Sequence, residues 1–207
     1  MESSKPVAAL STASLGEDGR PLRAAERILQ TARRLFYRNG IRAVGVDEIV
    51  KQAGVTKPSL YRTFPSKDDL AANYLRRYEA EFWARFDAAV VAHPGNPRAQ
   101  VLAFFEPIET RSDLPGYRGC GLTNAVVEYP EPDNPARLVA QANKRELRLR
   151  LRQLAAEMQA PNPETLGDGL LLLLEGAYAT GQIFGRDGPA KALVETADKL
   201  IEISLRA

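Results

Sequence analysis

Lys57, Ser59, Tyr61, Arg62 and Thr63 crowd into one short segment, with Thr56 and Pro58 among them and Lys67 just beyond. A guanidinium fork, two ammonium groups and several hydroxyls so close together make a set of donors suited to phosphate oxygens and to the acceptor edges of bases. Arg62 matches the O6 and N7 acceptors of guanine, while Lys57, Ser59, Tyr61 and Thr63 suit phosphates or less discriminating contacts. Charge along the chain points the same way. Residues 20–67 hold eleven Lys or Arg against three acids, a net +8, whereas residues 1–19 carry −2 and residues 68–207 carry −4. A basic segment joined to a mildly acidic remainder is the footprint of a nucleic-acid-binding module. A docking surface for an acidic partner, or merely an Arg-rich helix face, would carry the same charge.

Other chemistries find little support. The lone His93 sits in a His-Pro-Gly turn, so no histidine-based triad or multi-histidine metal site is available, and no glycine-rich phosphate loop occurs. Asp68 and Asp69 fall at a helix start, and Glu131 and Asp133 fall in a loop, where capping and solvation account for them. No enzyme, metal or cofactor is expected. Cys120 is the only cysteine and cannot form an intramolecular disulfide. It reads as a small buried hydrophobe, since Arg118 is the only neighbour in sequence that would acidify a thiol. There is no apolar run of membrane-spanning length and no secretory signal pattern, which together suggest a cytoplasmic protein.

The elements that must position these donors are helices. Residues 1–20, rich in Ser and Gly without periodicity, read as a flexible tail. After Pro21, Leu22, Ala25, Ile28, Leu29, Ala32, Leu35 and Phe36 recur at spacings of three and four, and Asn39-Gly40 ends that helix. Two short helices follow within residues 46–64. The first carries Asp47 and Glu48 in its opening turn and stops at Gly54; the second is capped by Thr56, with Pro58 near its start. Two short helices joined through a glycine turn, behind a longer supporting helix, make a helix-turn-helix, whose second helix enters the major groove. Ser66 caps a long helix to residue 92, with Lys67 placed to clamp a phosphate near its free amides. Further helices are expected from Pro97, over Gly121–Glu128, over 136–158, from Pro163 to Phe184 and over 189–205, with no strand alternation. The fold class is all-α, with a tail (1–20), a helix-turn-helix DNA-binding head (21–67) and a larger helical body (68–207).

The run GVDEIVKQAGVTKPSLYRTFPSKDDL, residues 45–70, closely resembles the DNA-binding segment of TetR-family regulators, through Ala53-Gly54-Val55, Leu60-Tyr61, Phe64 and Ser66-Lys67. The resemblance implies a homodimer of all-α subunits, with DNA contacts between Thr56 and Thr63 and at Lys67, and repression as the usual mode of action. Many members have Ser or Thr where Gly45 stands; Gly45 can offer DNA only its backbone N–H. The body resembles a TetR subgroup through residues 118–125, Glu128-Tyr129 and Glu175-Gly176, which implies a small-molecule effector held among its helices.

Residues fit to line such a pocket are Tyr78, Phe82, Trp83, Phe86, Phe104, Phe105, Cys120, Asn124, Glu128, Tyr178 and Gln182, which combine aromatic walls with a few polar groups. An aromatic stripe at helical spacing is more often ordinary core packing. The last two helices carry Leu170–Leu174, Ala177, Ile183, Leu193, Leu200, Ile201 and Leu205, more apolar surface than a small body needs. They are expected to form the homodimer surface as a four-helix bundle unless both are internal.

Overall fold

Where the sequence places apolar residues at helical spacing, helices form. The computed structural model describes residues 23–206, all of it helix, turn or loop with no strand. The proposed tail over 1–20 and the start of the first helix at Leu22 lie outside the described residues. Helix α1 (Ala24–Asn39) buries Ile28, Ala32, Leu35 and Phe36, and stops at Gly40, whose φ of 88° suits a residue without Cβ. Helix α2 (Val46–Ala53) ends at left-handed Gly54, and the amides of Gly54 and Val55 close its last carbonyls. Helix α3 (Lys57–Thr63) is capped as expected by Thr56, whose hydroxyl accepts from the Ser59 amide at 3.4 Å. Ser66 does the same for α4 (Lys67–Ala92), accepting from the Asp69 amide at 3.0 Å.

Helix α4 is the spine. Its 26 residues span roughly 39 Å at 1.5 Å per residue. Near its start Tyr74 packs edge-on against Phe36 of α1 at 5.7 Å, and further along Phe82 and Phe86 pack against Phe104. One continuous core runs from Ile28 to Ile201. The body continues with α5 (Pro97–Arg111), α6 (Gly121–Glu128), α7 (Pro135–Glu157), α8 (Pro163–Phe184) and α9 (Leu193–Arg206). Helix α7 packs on α8, α4 and α6, and α9 packs on α5 and α8. The last helix begins later than its proline suggests. Gly185–Asp187 and Pro189–Ala192 are short 3-10 turns, and the α-helical pattern starts only at Leu193. Gly188, between the turns, is extended, so the chain re-enters helix through a tight i to i+3 turn.

Candidate functional site

Ile49 and Leu60, both fully buried, hold α2 and α3 against the head's core, and Ala53 lies beside them. The outer face of α3 is then left to solvent: Thr56, Lys57, Pro58, Tyr61, Arg62 and Thr63 are exposed and Ser59 is half-buried. Thr56, Lys57 and Thr63 are held in place by local bonds. Lys57 Nζ pairs with Asp47 of α2 at 2.7 Å, which raises the lysine pKa above its ordinary value through the hydrogen bond and the opposite charge. Thr63 donates to the Ser59 carbonyl at 3.4 Å. Arg62 has no hydrogen bond or acid partner among the described residues, so its fork stays free for an external acceptor.

The frame behind α3 is braced by α1. Arg27 Nε donates to the Ala53 carbonyl at 3.1 Å, and Arg34 Nη2 donates to Gln52 Oε1 at 2.6 Å, with Gln52 in turn donating to Glu48 at 3.0 Å. Gly45 caps α2 with no side-chain bond, and a Cβ there would meet nothing within 4 Å. Lys67 is half-buried at the start of α4 and donates to the Arg42 carbonyl at 3.1 Å. Burial, the largest influence, holds its ammonium below the usual lysine pKa. It is thus bonded within the head and has donors to spare for a phosphate.

Among the described residues several polar contacts tie head to body, the Arg33–Glu81 and Glu26–Arg77 ion pairs among them. Arg42 donates its backbone N–H to Glu128 Oε2 at 2.9 Å and its guanidinium to the Glu128 carbonyl at 3.1 Å. Tyr37 Oη accepts from the Arg118 amide at 3.1 Å and donates to the Gly119 carbonyl at 3.2 Å. Within the body, Tyr129 Oη donates to Asp68 near the start of α4 at 3.2 Å. Glu128 therefore faces the head. Asn124 donates to the Arg118 carbonyl at 2.6 Å, and Gln182 donates to the Tyr178 carbonyl at 3.5 Å.

The remaining pocket candidates are not gathered around one cavity. Phe82, Phe86, Phe104 and Phe105 are packed ring against ring in the core, and Trp83 lies half-buried under the Arg150 guanidinium at 4.2 Å. Tyr78 alone of the eleven lines the cavity of about 380 Å³ between α1 and the body.

Cys120, Phe82 and Tyr178 do meet, around a residue that sequence reasoning missed. Lys144 of α7 donates to Glu175 at 2.6 Å and to Cys120 Sγ at 3.4 Å, and its ammonium lies 5.7 Å from the Phe82 ring centre and 5.5 Å from that of Tyr178. Thr123 donates to the other oxygen of Glu175 at 2.7 Å. Burial alone would depress the Lys144 ammonium, but the thiol and carboxylate facing it outweigh that, so its pKa lies above the ordinary value. Arg118 is not the cation at the thiol; Lys144 is. The available signal was the α7 pattern, since Ala140, Asn143 and Leu147 mark a buried face with Lys144 at its edge.

A short exposed helix seated on a buried scaffold, basic on its outer side and carried on a larger helical body, defines a helix-turn-helix DNA-binding regulator. The comparisons agree. The model for bacterial regulatory proteins of the tetR family matches residues 28–74. A solved TetR-family transcriptional regulator from Streptomyces coelicolor is 35% identical, with a TM-score of 0.78 over 88% of this chain and 94% of that one. Among curated relatives, the transcriptional activator FasR of Mycolicibacterium smegmatis is 38% identical over 95 residues, covering 44% of this chain and 42% of that protein. The Escherichia coli repressor NemR is 31% identical over 81 residues, covering 39% and 41%. The matched stretches span about two fifths of these curated relatives' length. The chain belongs to the TetR family of transcriptional regulators: it is a DNA-binding protein and not an enzyme.

Proposed function

We propose that this chain is a ligand-responsive repressor acting as a homodimer on a palindromic operator, with residues 21–67 as the DNA-binding head and 68–207 as the effector and dimerisation body. The observation that carries it is the uncommitted Arg62 on the exposed face of α3, above a scaffold with Ile49 and Leu60 fully buried. In this reading Gly45 offers its amide, Arg62 reads a base, and Thr56, Lys57, Pro58, Ser59, Tyr61, Thr63 and Lys67 engage the backbone or the groove wall. The homodimer forms through α8 and α9, which leave Leu172, Ile183, Phe184 and Ile203 exposed. The effector is a small molecule held in the body near Cys120, Phe82 and Tyr178. The Lys144–Glu175 pair supplies the polar contacts there.

Repression has support in the relative named a repressor, and the relative named an activator defines the alternative sign. Among the described residues no helix is long and apolar enough to cross a membrane, in keeping with work on DNA in the cytoplasm. Selection of bound sequences from a random duplex pool tests the proposal. A two-fold symmetric consensus supports it. Enrichment of no sequence, with binding that merely falls steeply with salt, refutes sequence-specific regulation in favour of non-specific binding.

A further inference from the structure

The cavity between α1 and the body is lined by cations. Arg33, Arg34 and Arg38 enter from α1 and Arg111 from the end of α5, and no carboxylate is among its lining residues. Two of the four have internal partners: Arg33 forms a bidentate pair with Glu81, and Arg34 bonds to the neutral amide of Gln52. Arg38 and Arg111 have neither hydrogen bond nor acid partner among the described residues. The loop after α5 borders the cavity through Pro115 and Gly116. At Gly116, whose φ is 78°, a Cβ would lie 3.8 Å from Arg38 Nε.

The opposite wall is aromatic. Tyr37 and Tyr78 stack with ring centres 6.4 Å apart, and Tyr74 meets Tyr78 edge-on at 6.3 Å. Burial, the largest influence on both, raises the Tyr74 and Tyr78 phenols well above their usual range, so they stay neutral. The Tyr37 hydroxyl is used in the Arg118 and Gly119 bonds, which fix its ring as part of the wall. Two guanidinium groups, Arg38 and Arg111, left without counter-charge in a concave site favour an oxyanion, to which they can bind in bidentate fashion, and flat rings beside them favour a flat ligand. A volume of about 380 Å³ is within the range of small-molecule sites.

We infer that this junction is a binding site for a small aromatic carboxylate, separate from the Cys120–Lys144 cluster. Its carboxylate lies between Arg38 and Arg111 and its ring against Tyr37 and Tyr78. Such an occupant bridges the head's first helix to the body and biases how the two are set. The regulatory consequence rests on the proposed function, but the binding does not.

Calorimetric titration of the full chain, without DNA, with benzoate, benzamide and inorganic phosphate tests the site. Saturable benzoate binding at one per chain is expected, weakened about tenfold or more by Arg38→Gln and by Arg111→Gln and unchanged by Arg145→Gln on the exposed side of α7. Benzamide should not bind, and phosphate should bind more weakly than benzoate. Thermal unfolding checks that the variants, altered at arginines without internal partners, are folded. Absence of saturable benzoate binding at millimolar concentration, or binding that survives both substitutions, overturns the proposal. Equal affinity for phosphate overturns the aromatic assignment. If benzoate does not bind while Arg38→Gln and Arg111→Gln weaken all duplexes alike, the arginines are DNA backbone contacts and the proposal fails.

Discussion

Arg62 and Lys57 stand five residues apart on one helix, yet their surroundings give them different work. The Lys57 ammonium is already tied to Asp47, whereas the Arg62 fork is free. Replacing Arg62 with Ala should relax preference at one base position in each half-site by about 1–3 kcal/mol, read as affinity for single-substituted operators. Unchanged preference would remove Arg62 from base reading. Gly45 offers the converse experiment. Its φ of −81° is open to any residue and a side chain there meets nothing within 4 Å. Gly45→Ser should stabilise α2 by a few tenths of a kcal/mol, about what a serine cap gains over glycine, and tighten operator binding through an added phosphate contact. Paired melting and binding curves check both effects. Donors on α3 were legible in the sequence because they are local, lying within two turns of one helix. The cation beside Cys120 was not, because Lys144 lies twenty-four residues away and reaches the thiol only when α7 packs on the body.

Helix limits were legible for the same local reason. Thr56 and Ser66 are caps in sequence and in structure, and Gly54 ends α2 where a left-handed residue is needed. The late start of α9 escaped because proline marks the first turn of a 3-10 helix as readily as that of an α-helix. Which helices are clamped together is not a local property. Asp168 of α8 accepts from Arg148 Nε and Nη2 at 2.7 and 2.6 Å and from Arg152 Nε and Nη2 at 2.9 and 2.8 Å, joining α8 to α7. These hydrogen bonds hold its carboxyl well below the usual carboxylate pKa. The folded state therefore binds the proton less readily than the unfolded chain. The clamp contributes its full stability above the unfolded pKa of about 4 and loses it as pH falls through the depressed folded value. Melting temperature followed from pH 7 into the acid limb should fall less steeply below about pH 4 for Asp168→Asn than for the parent, with the difference shrinking in high salt because the carboxylate is solvent-accessible. Parallel acid limbs would show that the clamp adds nothing to stability.

At the scale of the molecule, periodicity could separate a buried face from an exposed one but could not separate a core from a cavity. The aromatic stripe of α4 and α5 became packed rings, while Arg33 and Arg34, which lie outside α1's apolar face in sequence, line the cavity at the junction. The same reasoning about faces bears on assembly. Leu172 is 73% exposed and Ile203 67% exposed, apolar side chains on the two helices proposed to join subunits. Substitutions at exposed positions usually change monomer stability by no more than about 0.5 kcal/mol. In a two-fold interface, by contrast, each new charge appears twice and is buried without a partner. Leu172→Glu combined with Ile203→Glu should thus leave the helical signal intact, with melting lowered only by the loss of association and no longer dependent on protein concentration. Light scattering should show a single 22.7 kDa chain in place of the pair. Operator affinity should then drop by about a hundredfold or more, since the second head no longer binds as an intramolecular partner, and the salt dependence should become shallower as each complex neutralises fewer phosphates. A double variant that keeps the parent mass would place the interface on another face. One that becomes a single chain but binds the operator as tightly as the parent would mean that one head suffices.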